Sequence, residues 1–540
     1  MLVLALAAFA VGMVVAGSSG PNVRAVVARY VRDWSQHQFR RMYLLLDRSS
    51  RRQLSVQQFI AQYKAAAQTA TTRSLTVVRV ENPTSREVPV IMRVRTAAFG
   101  TLEQTLLVSY NTTGPQPAVH FTDMSLFPGL LPGQRLSRSV SLAPRAAILA
   151  RNGEPLAEGP DRSSPISSVA GGIVGVIGPI PAALVSQYAA AGYPPDTKVG
   201  VDGLERVFQG QAAGTPGGTL RAGTRVLAHT RPIPGRTVKT SIDPNLEAAA
   251  IAALGSHYGG VVAMDPRTGQ LLALAGLAFS AVQPPGSTMK IITSTGALQA
   301  GIVKLGTTFP IATFSVIGGY TLKNAGGEAC GGTLLNAFAV SCNSVFAPLG
   351  VRLGGQRLVA TAERFGFNKS VGIPGATEST IPAASQIGGA TAVGSSAIGQ
   401  GMVQASTLEM TDVAATIAMG GRRPVPTLRY GRRPRFVHVT NPHVASEVQQ
   451  MMVAVVESGT GISAQISGVQ VAGKTGTAEI NNSKVSTATN PTDADAWFVG
   501  YAPVGAPRIV AGALFVNEGF GGSSAAPAVR DVIVAGLQGH

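Results

Sequence analysis

The sequence predicts an α+β protein of several domains, on three observations. The chain has 540 residues, more than one hydrophobic core organises. Its pattern changes from helical to strand-like at Ser74. From Thr237 onward, two candidate β-hairpins bracket a long helix-rich middle. Composition agrees: 45% of residues are hydrophobic and 13% charged. That supplies a large core and is too little charge for a disordered chain.

Residues 1–18 contain an unbroken apolar run at 2–16, closed by Gly17, Ser18, Ser19, Gly20 and Pro21. A membrane span needs about 17–25 such residues. The run is predicted to be a signal h-region or a marginal membrane anchor, with the rest of the chain exported. Residues 22–126 form a predicted small α+β module. Val23, Val26, Val27, Tyr30, Val31 and Trp34 recur at helical spacing. Strand-like runs follow at 75–80, 88–94 and 102–110. Residues 128–134 read as a linker. Residues 135–236 are rich in Gly and Pro and read as a second, β-rich domain, with a turn at Asn152-Gly153. Residues 237–540 read as one large domain. A helix starts at Pro244, one hairpin pairs 260–265 with 270–275, and another pairs 496–501 with 508–517.

Lys and Arg number 44 against 27 Asp and Glu, a net charge of +17. The basic clusters are short, as at Arg422-Arg423 and Arg432-Arg433. Without a long basic tail or an aromatic-interleaved stripe, nucleic acid is not the expected partner. An anionic membrane surface, an anionic polymer or a plain solvated surface remain. The cysteines are Cys330 and Cys342. In an exported chain they are predicted to form a disulfide, the alternative being two buried free thiols. Two thiols without a nearby His do not make a structural zinc site, and no metal is expected.

Three short motifs in the large domain carry chemistry. In the first, Ser287-Thr-Met-Lys290, the serine starts a predicted helix and the lysine lies three residues on, on the same face. A serine hydroxyl needs a base within hydrogen-bond reach to act as a nucleophile. A helix start also aims backbone N–H groups at developing negative charge. The second is Ser341-Cys342-Asn343, a hydroxyl and an amide placed to face one cleft. The third, Lys474-Thr475-Gly476-Thr477, follows a strand-like run and offers a cation, two hydroxyls and a peptide-docking edge. Each motif alone is weak; their order is specific for penicillin-recognising serine enzymes. A competing pattern overlaps the third: residues 468–475 also spell a phosphate loop, G-x-x-x-x-G-K-T. The loop and the long following helix that such a motif needs are not predicted there.

On these motifs the chain resembles a class B penicillin-binding protein, from about Arg145 to the end. Residues 473–478, 496–503 and 398–401, and Gly521-Gly522 with Ala525-Ala526-Pro527, look like that family. Residues 145–153 and 203–205 resemble its elongated non-catalytic, dimerisation-like domain, and 22–126 resembles a nuclear-transport-factor-like cone. For 237–540 the resemblance implies a transpeptidase domain built on a five-stranded antiparallel sheet flanked by helices. It implies a D,D-transpeptidase without cofactor that cross-links peptidoglycan stem peptides and is acylated by β-lactams. Ser287 is then the nucleophile, Lys290 the base, Ser341 the proton relay and Asn343 the holder of the substrate amide. Lys474 keeps Lys290 partly neutral, Thr475 and Thr477 bind the terminal carboxylate, and Gly476 lets the acyl group approach the backbone. The implied partners are the lipid-linked precursor, the membrane through the N-terminus, and a glycosyltransferase of the elongation or division machinery. The alternatives are a D,D-carboxypeptidase, a β-lactam-hydrolysing or -sensing relative and, more distantly, a phosphate-loop NTPase.

Overall fold

The structure, a computed structural model, describes residues 22–479 and 494–539. The apolar run at 2–16 lies outside the described residues. Among those described, no helix is long and apolar enough to cross a membrane.

The chain divides into two compact units whose segments interleave in sequence. The first comprises residues up to 145, 178–199 and 213–236; the second comprises 146–177, 200–212 and the chain from 237 onward. The expected 135–236 domain is therefore shared between the two. The reason is long-range pairing. Leu136–Ser141 pairs with Gly217–Ala222 inside the first unit. Ile148–Leu149 pairs with Pro155–Ala157 and Val238–Lys239 inside the second. Nor is 128–134 a loose linker: Phe127 and Leu130 are buried with Leu220 and Ala222.

In the first unit, Val23–Ser35 and Val56–Thr69 are the long helices. Ser55 caps the second through a reciprocal bond with Gln58. Tyr30, Trp34, Phe59 and Tyr63 pack with Val88, Val90, Met92, Leu106 and Val108, from the antiparallel strands Glu87–Thr96 and Thr101–Asn111.

The second unit is built on a five-stranded sheet. Its spatial order is Gln270–Gly276, Gly259–Asp265, Ile509–Phe515, Ala494–Ala502 and Ala472–Glu479, with every neighbouring pair antiparallel. The predicted hairpin strands are all present. Both faces are covered, so the strands read as continuous apolar runs rather than alternating ones. On one face Val261, Ala263, Phe498 and Ala511 meet Leu246 and Ala250 of Pro244–Leu254 and Val529, Val532 and Ile533 of Ala525–Gln538. On the other, Val262, Leu271, Val499 and Val510 belong to the core that holds Ile291, Ile292, Met410, Val413 and Ile417. This second core also contains Ile148, Leu156, Ile173, Leu204 and Phe208. Burying these residues ties 146–177 and 200–212 to the large domain.

Candidate active site

The three motifs converge in the second unit. Ser287 lies in a single 3-10 turn, Gly286–Met289, which runs into the helix Lys290–Gln299. The serine is half-buried and Lys290, the first helical residue, is fully buried. Three residues of helical rise bring the Lys290 amine back over the turn, where its Nζ lies 2.8 Å from Ser287 Oγ.

Ser341 and Cys342 form the junction between the helices Leu334–Ala339 and Asn343–Leu353. Ser341 holds a left-handed backbone, φ +61°, a conformation that costs a non-glycine residue free energy and tends to occur at functional sites. This turn aims both its carbonyl and its side chain at Lys290. The lysine donates to Ser341 O at 2.6 Å and lies 3.3 Å from Ser341 Oγ. Asn343 Oδ1 accepts from the same amine at 2.7 Å.

Lys474 to Thr477 lie on Ala472–Glu479, the outermost strand of the sheet. Lys474 Nζ donates to Ser341 Oγ at 2.8 Å, so that hydroxyl sits between two lysines. Thr475 shares a 2.5 Å hydroxyl–hydroxyl bond with Thr460, a site residue the sequence motifs do not flag. Gly476 has a structural reason beyond the expected one. A Cβ there would meet Pro285 O and Trp497 Cβ, each at 2.8 Å, so only glycine lets the Ser287 turn lie against the strand. The phosphate-loop pattern is overturned here: Lys474 and Thr475 are strand residues paired with Val499 and Phe498, not a loop opening a helix.

Two buried amines within one site cannot both be charged cheaply. Burial, and then the charge of Lys474, push Lys290 well below the usual lysine range. Burial alone brings Lys474 to about 7. The phenyl rings of Phe346, 5.6 Å from Lys290 Nζ, and Phe338, 5.3 Å from Lys474 Nζ, supply apolar walls. Neither ring belongs to a motif. The arrangement brings together a hydroxyl, an amine whose neutral form burial favours, and a second hydroxyl, a set able to pass a proton along.

Cys330 and Cys342 are bonded as a disulfide, with their Cα atoms 5.8 Å apart. The bridge anchors the residue between Ser341 and Asn343 to the strand Cys330–Thr333. Reduction is expected to cost up to about 3 kcal/mol of stability by loop-closure entropy. It should also slow acylation by β-lactam, because the turn that aims Ser341 loses its anchor. Stopped-flow acylation before and after reduction, with thiols titrated in parallel, checks this. An unchanged rate with two titrated thiols rejects the coupling.

Comparison with known proteins gives the same assignment. The family described as penicillin binding protein transpeptidase domain matches residues 259–534. Peptidoglycan D,D-transpeptidase PbpA of Mycobacterium tuberculosis is 32% identical over 374 residues, covering 57% of this chain and 73% of that protein. The solved D,D-transpeptidase domain of a peptidoglycan glycosyltransferase from Eggerthella lenta superposes with TM-score 0.61 at 26% identity, over 74% of this chain and 99% of that one. The imipenem acyl-enzyme complex of penicillin-binding protein A from M. tuberculosis gives TM-score 0.58 at 26% identity, over 73% and 99%. With its site on the elements described, the chain belongs to the penicillin-binding protein transpeptidase family, among the class B members.

Proposed function

We infer that the chain is a peptidoglycan D,D-transpeptidase working through a serine acyl-enzyme. The observation that carries this reading is the continuous relay Ser287 Oγ, Lys290 Nζ, Ser341 Oγ, Lys474 Nζ, each step at hydrogen-bond distance or close to it. Ser287 Oγ attacks the carbonyl of the penultimate D-Ala, and its proton passes to the neutral Lys290 amine. The backbone N–H groups of Ser287 and Thr477 receive the developing oxyanion. The C–N bond then breaks. Ser341 gives its hydroxyl proton to the departing D-Ala amine and takes in its place the proton that Lys290 received from Ser287, which leaves Lys290 neutral again. Asn343 holds the substrate amide, and the Thr475 and Thr477 hydroxyls, beside Lys474, receive the terminal carboxylate. An amine of a second stem peptide attacks the acyl-enzyme, restoring Ser287 and completing a cross-link. A β-lactam presents the same carbonyl to Ser287 and leaves an acyl adduct, as the solved imipenem complex of the relative leads one to expect.

The test is synthesis of cross-links. Purified protein, supplied with lipid-linked precursor and a glycosyltransferase to polymerise it, should give stem-peptide dimers that benzylpenicillin suppresses. Release of D-Ala without dimers would overturn transpeptidation in favour of carboxypeptidation.

The relatives are cell-wall enzymes, so the reading places the catalytic domain outside the cytoplasm, anchored or sent by the run at residues 2–16. A fusion to a reporter active only after export should be active. Equal activity from a fusion lacking residues 1–17 would reject that role. A polymerising glycosyltransferase is the partner the reaction calls for.

A further inference from the structure

We propose that Asn324 is a positioning residue for this reaction, holding the Asn343 amide in the orientation that faces Lys290. The proposal rests on the assignment of Ser287, Lys290 and Asn343 given above.

Asn324 follows the strand Tyr320–Lys323 and lies outside all three motifs. It is 6% exposed, and its side chain is fully engaged. Nδ2 donates to Ala312 O and to Glu328 O, both at 2.8 Å. Oδ1 accepts the Ser344 backbone N–H at 2.7 Å. Ser344 is the second residue of the helix Asn343–Leu353, where a capping side chain would normally supply the acceptor. The residue at the capping position is Cys342, committed to the disulfide, and it makes no side-chain cap. Asn324 caps the helix from twenty residues away in sequence.

The adjoining peptide does the second half of the work. Lys323 O accepts from Asn343 Nδ2 at 3.2 Å, which turns Asn343 Oδ1 toward Lys290 Nζ. The opposite rotamer of the amide would set its carbonyl against the Lys323 carbonyl. Asn324 thus pins, with one side chain, the backbone that carries Asn343 and the carbonyl that orients it.

The experiment measures the second-order rate of acylation by a fluorescent penicillin across pH, with thermal midpoints in parallel, for Asn324→Ala and Asn324→Asp. The Asp variant keeps the acceptor for Ser344 and loses both donors, and it carries the test where the Ala variant does not fold. Asn368→Ala is the control, since Asn368 also uses its side-chain amide to hold main chain, donating to Ile381 O and accepting from Ile381 N, away from the site. Acylation by the Asn324 variants is expected to fall about 10- to 100-fold, the scale set by misplacing a group by about 1 Å. The acid limb of their pH profile should move to lower pH, because Lys290 loses an acceptor that favours its ammonium form. Asn368→Ala should lose stability without moving that limb. Wild-type rates and limbs in the Asn324 variants, or the same shift in Asn368→Ala, overturn the proposal. Ser287→Ala in the same assay separates the two levels. If it still labels, the assignment of the site fails. If it does not label and the Asn324 variants acylate normally, only the positioning role fails.

Discussion

Ser287→Ala should abolish covalent labelling by penicillin and leave the protein folded. Alanine offers no atom that can carry an acyl group. In serine acyl-transfer units, removing the nucleophile alone costs on the order of 10^6-fold in turnover. The fold should survive because little else depends on the hydroxyl. Ser287 is half-buried, and Lys290 keeps Ser341 O, Ser341 Oγ and Asn343 Oδ1 as acceptors after its loss. The expected stability change is about 1 kcal/mol, that of one hydrogen bond exchanged. Intact-mass spectrometry after benzylpenicillin, with a thermal melt alongside, reads both. An adduct of full stoichiometry on the Ala variant would remove Ser287 from its role.

The first motif was legible because it is a short local string whose two side chains are near neighbours, whereas the meeting of Ser341, Asn343 and Lys474 with it was expected from the order of the motifs and the resemblance. Ser287 and Lys290 meet through helical rise alone. Lys474 does lie on the outer strand, but that strand begins at Ala472, so most of the alternating run at 469–472 that suggested it lies outside the strand. What could not be read is long-range. Nothing local marks Phe338 and Phe346 as the walls that desolvate the two lysines, since both look like ordinary core residues. Thr460 and Asn324 reach the site from loops whose positions the fold decides. The split of 135–236 between two units could not be read for the same reason. Composition suggested one Gly- and Pro-rich domain, yet the pairing of Leu136–Ser141 with Gly217–Ala222, and of Ile148–Leu149 with Val238–Lys239, distributes that stretch between two units. The five-stranded sheet came from the resemblance. The residues themselves gave its two hairpins and the outer strand but not their spatial order.

Lys290→Met should acylate almost as poorly as Ser287→Ala, because members of one proton-transfer unit do not contribute additively. Methionine is chosen to keep most of the buried volume, so that lost packing is not mistaken for lost chemistry. The pH behaviour then identifies the base. In the wild type only the neutral Lys290 amine can take the Ser287 proton, so acylation should fall as pH drops through its lowered pKa. The positive charge of Lys474 contributes to that lowering. Replacing it, as in Lys474→Met, should raise the Lys290 pKa and move the acid limb to higher pH. Lys474 itself titrates at about 7 in the folded protein and at 10.5 when unperturbed. Between these values the unfolded chain binds the proton and the folded one does not. Wild-type stability should therefore rise with pH across this window, and the rise should be smaller in Lys474→Met. Rates of penicillin acylation and denaturant midpoints from pH 6 to 10 test the set. A Lys290→Met protein acylating near the wild-type rate, or a Lys474→Met acid limb displaced downward, would contradict a neutral lysine acting as the base.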